Sequence, residues 1–288
     1  MNNRRLTIIL GPTAVGKTDY AIDYALRVGS PVVSCDSRQI FRELNIGVAR
    51  PSAEQLARVR HYFIATNSVT EYYTAGRYEL EALELLSSLF EEHEEIVMCG
   101  GSGLYIDALC NGLDDFPEAD QSLREELSAR LRAEGVDSLR KELLRLDPES
   151  YHTIDIANGQ RVVRALEVTI STGRPYSSFK TSPKKKRDFE IVKIGLTRDR
   201  EVLYSRINQR VDQMMDEGLV DEARSVLPYR DMPALNTVGY KELFEYFDGS
   251  IPLEEAVRLI KRNTRHYAKR QLTWWGRDSS IRWISLSS

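Results

Sequence analysis

GPTAVGKT, residues 11–18, decides the fold of this chain, because it matches the phosphate-loop pattern GxxxxGK[ST]. The apolar run Leu6–Leu10 before it predicts a buried β-strand, and Thr18–Val28 after it predicts a helix. Two glycines in the loop allow a tight turn, so that backbone N–H groups and the positive end of the helix face one phosphate. The predicted phosphate-binding residues are Gly11, Pro12, Thr13, Ala14, Val15, Gly16, Lys17 and Thr18.

Two side chains of this loop add chemistry that the backbone lacks. Lys17 supplies a full positive charge, and Thr18 supplies a hydroxyl suited to a magnesium ion. We therefore predict Mg²⁺ as the cofactor, with Thr18 as a ligand. The loop recognises linked phosphoryl groups and not a base, so ATP and any other diphosphate ester satisfy the pattern equally.

Short apolar runs at 31–34, 96–99 and 189–196 predict three further strands, separated by helical patterns. Strands that alternate with helices favour a parallel sheet. The segment 112–188 differs, because leucines recur there at helical spacing and no strand is predicted. The predicted fold class is α/β: a P-loop NTPase-like core formed by residues 1–111 and 189–288, with an all-helical insertion domain at 112–188.

The composition excludes several classes of protein. The 288 residues are 42% hydrophobic and 29% charged, and 40 basic against 43 acidic side chains give a net charge of −3, which argues against a disordered chain. No apolar run has the length of a membrane span. Three cysteines without a CxxC pair fit a reducing compartment. We expect a cytoplasmic protein that does not enter a membrane.

The C-terminal region is basic although the chain as a whole is slightly acidic. Residues 258–277 contain seven basic side chains and no acidic one. Arg258, Arg262, Arg265 and Lys269 follow at intervals of four, three and four, which places them on one face of a helix. Such a stripe predicts an anionic partner, and a solvated helix face is the alternative.

Asp36 follows the second predicted strand in the run Ser34–Gln39. The carboxyl ends of parallel strands meet at one edge of the sheet, so we expect Asp36 to lie near Lys17. A carboxylate at this place can hold magnesium or act as a general base. The structural alternative is a helix cap or a turn, which Asp also favours.

Beyond the loop, an ordered series of elements carries a family resemblance. The elements are DSRQ (36–39), IGVARP (46–51), GGSGLY (100–105), QRVVRALEV (160–168), TGRP (172–175), RINQRVDQM (206–214), VGYKEL (238–243) and RHYAKRQLTWW (265–275). The chain thereby resembles the tRNA dimethylallyltransferase family from end to end. Ser102 stands where the family has a threonine and keeps the hydroxyl.

The resemblance implies a reaction and two substrates. A dimethylallyl group passes from dimethylallyl diphosphate to N6 of adenosine 37, in the anticodon loop of tRNAs that read codons beginning with U, and diphosphate is released. Asp36 is the expected base, with Thr13 and Arg206 assisting the departure of diphosphate. Arg210 lies one helical turn from Arg206 and is the alternative to it. We expect a monomer.

The resemblance also implies where tRNA binds, since the target adenine must leave its stack. The expected tRNA-binding residues are Asp36, Ser37, Arg38, Gln39, Ser102, Gln160, Arg161, Val162, Val163, Arg164, Arg262, Arg265, Lys269 and Gln271.

Three other functions stay open at this point. A P-loop kinase would need ATP and would leave the basic stripe without a role. A transferase acting on free adenine nucleotides would share the phosphate loop but not the RNA-facing residues. An RNA-binding module without catalysis would not require Lys17, Thr18 and Asp36 together.

Overall fold

The computed structural model describes residues 4–114, 116–117, 120–180 and 185–286. The chain divides into two compact units. One comprises Met1–Asn111 with Lys186–Ser288, and the other comprises Gly112–Lys185.

The first unit is built on a six-stranded parallel sheet with the order β3-β2-β4-β1-β5-β6. The strands are β1 (Arg5–Leu10), β2 (Val32–Ser34), β3 (His61–Tyr62), β4 (Glu95–Gly100), β5 (Glu190–Thr197) and β6 (Ile281–Ser285). Strand β5 follows the second unit in the chain and pairs with β1, so the sheet joins strands from both sides of the insertion. This confirms the α/β prediction.

The helices cover most of the remaining chain. They are α1 (Lys17–Val28), α2 (Ala53–Arg58), α3 (Ala75–Leu89), α4 (Gly103–Asn111), α5 (Gln121–Glu134), α6 (Val136–Leu146), α7 (Pro148–Thr153), α8 (Gly159–Thr172), α9 (Arg200–Asp216), α10 (Leu219–Ser225), α11 (Tyr240–Phe247) and α12 (Leu253–Trp275). In the described part of the chain, no helix has both the length and the hydropathy that a membrane span requires.

The second unit contains α5–α8 and, in its described residues, no strand. Its core includes Leu127, Leu139, Leu143 and Leu166, which are all fully buried. Val162 and Val163 belong to the same core and are 0% and 1% exposed. Their side chains therefore face the interior of their own unit, and the expected contact of these two residues with tRNA stays a prediction that their backbone would have to fulfil.

Three neighbouring strands carry polar segments at their carboxyl ends. Strand β1 leads into the phosphate loop, β2 leads to Asp36, and β4 leads to Gly101 and Ser102. The chain can pack this tightly because Gly100 lacks a side chain: a Cβ there would lie 2.6 Å from the Cys35 carbonyl carbon. The sheet therefore brings the three segments to one edge, as the rule for parallel sheets predicts.

Candidate active site

A cavity of about 1090 Å³ opens at this edge of the first unit. Its walls come from the phosphate loop, the turn after β2, the segment 45–53, the end of α9, the segment 236–239 and the inner face of α12. The phosphate-loop residues that face it are Thr13, Ala14, Gly16, Lys17 and Thr18.

Three residues of the phosphate loop are buried away from the cavity lining. Gly11, Pro12 and Val15 are buried and do not line the cavity with their side chains, so their expected contact with phosphate stays a prediction that rests on the backbone. Gly11 has a φ of 151°, and a Cβ at this residue would lie 2.6 Å from the carbonyl oxygen of Leu196. Ala14 is in the left-handed region with a φ of 64°, a strain that a non-glycine residue keeps only when its surroundings impose it.

Lys17 lies at the centre of the loop, where its Nζ donates a hydrogen bond of 2.8 Å to the carbonyl oxygen of Pro12. Burial is the main cause that lowers the pKa of Lys17, and Arg210 lowers this pKa further, whereas Cys99 and Asp36 oppose the shift. A bound anion would favour the charged ammonium again. The site is therefore suited to a negatively charged ligand.

Arginines surround the loop on the side of α9. Arg206 donates from Nε to the Ala14 carbonyl oxygen, and Arg198 donates from Nε to the Val15 carbonyl oxygen, both at 2.9 Å. Arg210 lines the cavity together with Arg206. Burial lowers the pKa of Arg210, and the charge of Arg206 lowers it further. Arg206 and Arg198 hold loop carbonyls, and Arg210 adds positive charge beside Lys17. The sequence did not single out Arg198.

Asp36 lines the same cavity and also forms a turn. Its Oδ1 accepts the backbone N–H groups of Arg38 at 2.9 Å and Gln39 at 3.3 Å. The carboxylate both supports a turn and faces the cavity, so the structural and the functional interpretation apply to the same side chain. Cys99 also lines the cavity, but burial raises its pKa to about 12, so it is a neutral thiol at neutral pH and not a nucleophile.

The residues around Asp36 are largely occupied with one another. The Ser102 hydroxyl accepts the Ser37 N–H at 2.8 Å and donates to the Ser37 hydroxyl at 3.0 Å, so Ser102 supports this turn from a buried position. Its expected contact with tRNA stays a prediction. Ser37, Arg38 and Gln39 do face the cavity. The Gln39 amide nitrogen donates to the carbonyl oxygens of Val48 and Ala49 at 3.3 and 2.9 Å, which ties the turn to the opposite wall.

That wall, the loop Asn45–Arg50, is held by one carboxylate that the sequence did not reveal. Glu222 accepts three consecutive backbone N–H groups, those of Asn45, Ile46 and Gly47, at 2.8–2.9 Å. It also accepts the Tyr240 hydroxyl at 2.6 Å. Burial and the adjacent carboxylate both raise the pKa of Tyr240, so its proton stays in this bond. The wall is therefore fixed by a side chain more than 170 residues away along the chain.

We expect Glu222→Gln to lower the free energy of unfolding by about 1.5–3 kcal/mol, because an amide has one acceptor oxygen where the loop needs two. Tyr240→Phe is the matched variant, since it removes only the hydroxyl bond, and should cost about 1 kcal/mol. Urea denaturation of the three proteins measures both values. A Glu222→Gln variant as stable as Tyr240→Phe would show that the backbone bonds contribute little.

Helix α12 presents the predicted basic stripe with unequal exposure. Arg262 and Lys269 are exposed, whereas Arg265 donates from Nη1 to the Asn208 side-chain oxygen at 2.6 Å. Arg258 is exposed but forms two hydrogen bonds with the carboxylate of Glu255. Gln271 is 6% exposed, lines the cavity and has both ends of its amide bonded inside the protein, and its expected contact with tRNA stays a prediction.

The second unit carries the other predicted RNA contacts on α8. Gln160 and Arg161 are exposed in its first turn. Arg164 is partly buried, forms an ion pair of 2.5 Å with Glu167 and lies over the ring of Phe116. Part of its charge is therefore neutralised within the unit.

The protein oxygens at the phosphate loop suit a magnesium ion that takes most of its other ligands from substrate phosphates and water. Thr18 faces the cavity in the first turn of α1. Across residues 4–114, 116–117, 120–180 and 185–286, no three His, Cys, Asp or Glu side chains are grouped so that they could hold a metal. Mg²⁺ commonly keeps several waters and takes its other ligands from one or two protein oxygens and substrate phosphates. Thr18 beside a phosphate loop fits that pattern.

Comparison with known proteins adds independent information. A family model described as IPP transferase matches residues 39–278. The chain is 56% identical over 279 residues to tRNA dimethylallyltransferase 2 of Porphyromonas gingivalis, covering 97% of this chain and 93% of the relative. It is 38% identical to the crystal structure of the full-length tRNA isopentenylpyrophosphate transferase of Bacillus halodurans, with a TM-score of 0.71 over 98% of this chain and 90% of that one. A eukaryotic dimethylallyltransferase acting on tRNA, at 22% identity, shares the fold with a TM-score of 0.80 over 98% of this chain and 74% of that one.

Proposed function

Since the chain belongs to the IPP transferase family and is a tRNA prenyltransferase, we propose the following reaction for its cavity. Dimethylallyl diphosphate binds at the phosphate loop, and its dimethylallyl group passes to N6 of adenosine 37 in the anticodon loop of tRNAs that read codons beginning with U. Diphosphate is released. The main observation that supports this proposal is that Asp36 and the cationic phosphate loop face the same cavity.

The acceptor nitrogen needs help because its lone pair is delocalised into the adenine ring. Asp36 takes the N6 proton as the C–N bond forms, and the turn fixes its Oδ1 by two backbone N–H groups. The turn that positions this carboxylate is itself tied to the opposite cavity wall through Gln39. The base is therefore preorganised by the backbone around it.

The donor needs a leaving group whose charge is stabilised as the allylic C–O bond breaks. Lys17, Arg206, Arg210 and the Thr13 hydroxyl supply positive charge and a hydrogen bond at the loop. A well-placed donor of this kind lowers the activation barrier by roughly 3 kcal/mol. Magnesium held by Thr18 supplies further charge neutralisation when it is bound. The partly buried site also keeps water from the allylic carbon.

The acceptor RNA is bound by cations outside the cavity. The exposed Arg262 and Lys269 on α12 contact phosphates, with Arg265 beside them, and Gln160, Arg161 and Arg164 of the second unit contribute further contacts. Asp36, Ser37, Arg38 and Gln39 frame the flipped adenine, since these residues line the cavity. The protein acts in the cytoplasm as a monomer.

The test combines the protein with Mg²⁺, dimethylallyl diphosphate and an unmodified tRNA that carries adenosine at position 37. The proposal predicts prenylated adenosine at that position without ATP. Parallel reactions replace tRNA with AMP, or the donor with ATP. Prenyl-AMP as the main product would favour the free-nucleotide transferase, and a phosphorylated product made only with ATP would favour a kinase.

We expect Arg262→Ala to weaken tRNA binding and to reduce the salt dependence of binding by about one charge, because this guanidinium is exposed on α12. Arg258→Ala is the control: it is on the same helix, but Glu255 already neutralises it, so its salt dependence should change less. Filter binding at salt concentrations between about 50 and 200 mM measures the slope of log affinity against log salt for each variant. Equal slopes for wild type and Arg262→Ala would place Arg262 outside the RNA interface.

A further inference from the structure

Gln271 connects two polar segments of the site through one buried amide. Its Oε1 accepts the backbone N–H of Thr13 at 2.9 Å, and its Nε2 donates to the carbonyl oxygen of Gly101 at 2.8 Å. It therefore joins the phosphate loop after β1 to the turn after β4 from a position on α12. These bonds reach 258 and 170 residues along the chain.

The packing around the amide leaves little freedom. Gln271 is 6% exposed, and a Cβ on Gly101 would lie only 2.5 Å from its Nε2. The oxygen of the amide faces a donor and the nitrogen faces an acceptor, so the amide can satisfy both bonds in one orientation only. A side chain of similar size without this donor–acceptor pair would leave buried groups unsatisfied.

The contacts of Gln271 matter for function because one of them holds Thr13, a residue that lines the cavity. Thr13 lines the cavity, and its backbone N–H is committed to Gln271, so it can reach a phosphate only through its hydroxyl. The adjacent Ala14 is left-handed, and its carbonyl oxygen is held by Arg206. Gln271 on α12 and Arg206 on α9 thus hold consecutive residues of the loop.

We propose that Gln271 is a positioning residue for the diphosphate site. It acts through Thr13: by fixing the Thr13 backbone it orients the Thr13 hydroxyl toward the ligand and keeps Ala14 in its strained conformation. The proposal rests on the proposed function, because it assumes that the loop binds the donor diphosphate. It assigns Gln271 to donor binding and not to RNA binding.

Two variants distinguish the hydrogen bond to Thr13 from the hydrogen bond to Gly101. Gln271→Met removes both hydrogen bonds at nearly constant side-chain volume. Gln271→Glu keeps an acceptor for the Thr13 N–H but places an oxygen against the Gly101 carbonyl. The control is Thr273→Ala on the same helix, because that exposed hydroxyl donates to the Lys269 carbonyl of its own helix. Magnesium pyrophosphate is the calorimetric probe, and tRNA affinity is measured in parallel.

We expect Gln271→Met to weaken pyrophosphate binding and to raise KM for the donor by about tenfold, the cost of one unsatisfied buried donor, while tRNA affinity stays within about twofold of wild type. Hydrogen exchange at the Thr13 amide should accelerate in Gln271→Met and less in Gln271→Glu. Thr273→Ala should match wild type in every measurement.

Two results would overturn the proposal. Unchanged pyrophosphate affinity in both variants, with faster exchange at Thr13, would limit Gln271 to a structural role. A fall in tRNA affinity with unchanged pyrophosphate affinity would return Gln271 to the RNA interface. Failure of the proposed function is a separate outcome, seen as absence of prenyl transfer by the wild-type protein; pyrophosphate binding and amide exchange still test Gln271 in that event.

Discussion

Replacing Asp36 by Asn is expected to lower turnover by roughly 10²–10⁴-fold while tRNA affinity stays near that of wild type. The asparagine Oδ1 can still accept the N–H groups of Arg38 and Gln39, so the turn survives. Only the basic oxygen is lost, and with it the group that takes the N6 proton. Single-turnover prenylation and tRNA binding, measured on the same preparation, give the two quantities.

The control for this variant is Asp23→Asn, which makes the same chemical change on the exposed face of α1, where Asp23 pairs with Arg58. It should leave turnover unchanged. Asp36→Ala is a less specific variant, because it removes the turn as well as the base. If Asp36→Asn lost tRNA affinity and turnover in the same proportion, Asp36 would be a binding residue and not the base.

Replacing Lys17 by Met is expected to reduce donor affinity and turnover by roughly 10²–10³-fold each, since this cation faces the leaving group in a partly buried site. Methionine keeps most of the volume of the lysine stem, so the loop should keep its shape. Calorimetry with magnesium pyrophosphate and the KM for dimethylallyl diphosphate measure the loss. tRNA affinity should not change, because the basic residues proposed for RNA lie on α12 and α8.

The pH dependence of donor affinity tests independently whether the charge of Lys17 binds the donor. Burial lowers the pKa of Lys17, so the ammonium of the unliganded protein loses its proton at a lower pH than an exposed lysine does. Donor affinity should therefore fall as the pH rises through that pKa, and the Lys17→Met variant should lack this fall. A variant with the same alkaline loss as wild type would assign the titration to another group.

The sequence predicted those parts of the site that depend on local pattern. The phosphate loop needs a strand, two glycines and a helix start close together in the chain, and all of these are visible in eight residues and their flanks. Asp36 could be placed because its strand is parallel to β1 and ends at the same edge. The basic stripe does lie on one helix, Leu253–Trp275, as its spacing predicts.

The parts that the sequence did not reveal depend on long-range bonds to the backbone. Glu222 and Gln271 bind N–H and C=O groups of distant loops, and a backbone group carries no sequence signal for its partner. Arg198 is one arginine at the start of a helix, and only the fold brings it to Val15. Val162 and Val163 show a different limit: the family motif predicts a tRNA contact for them, whereas their apolar spacing indicates core, where the structure places their side chains.

The strand at the end of the chain was missed for a further physical reason. Strand β6 lies at the edge of the sheet, and of its five residues only Ile281 is buried. An edge strand of this kind lacks the continuous apolar run by which a central strand is predicted. Its pairing with β5 depends on tertiary contact and not on local preference.

The most direct measurement for the whole account is a crystal structure with Mg²⁺ and a thiodiphosphate analogue of dimethylallyl diphosphate that cannot react. The account predicts diphosphate oxygens within hydrogen-bond distance of Lys17 Nζ and the Thr13 hydroxyl, with the allylic carbon on the Asp36 side of the cavity. A phosphate loop that holds ATP and rejects the analogue, or an analogue bound with its carbon away from Asp36, would contradict it.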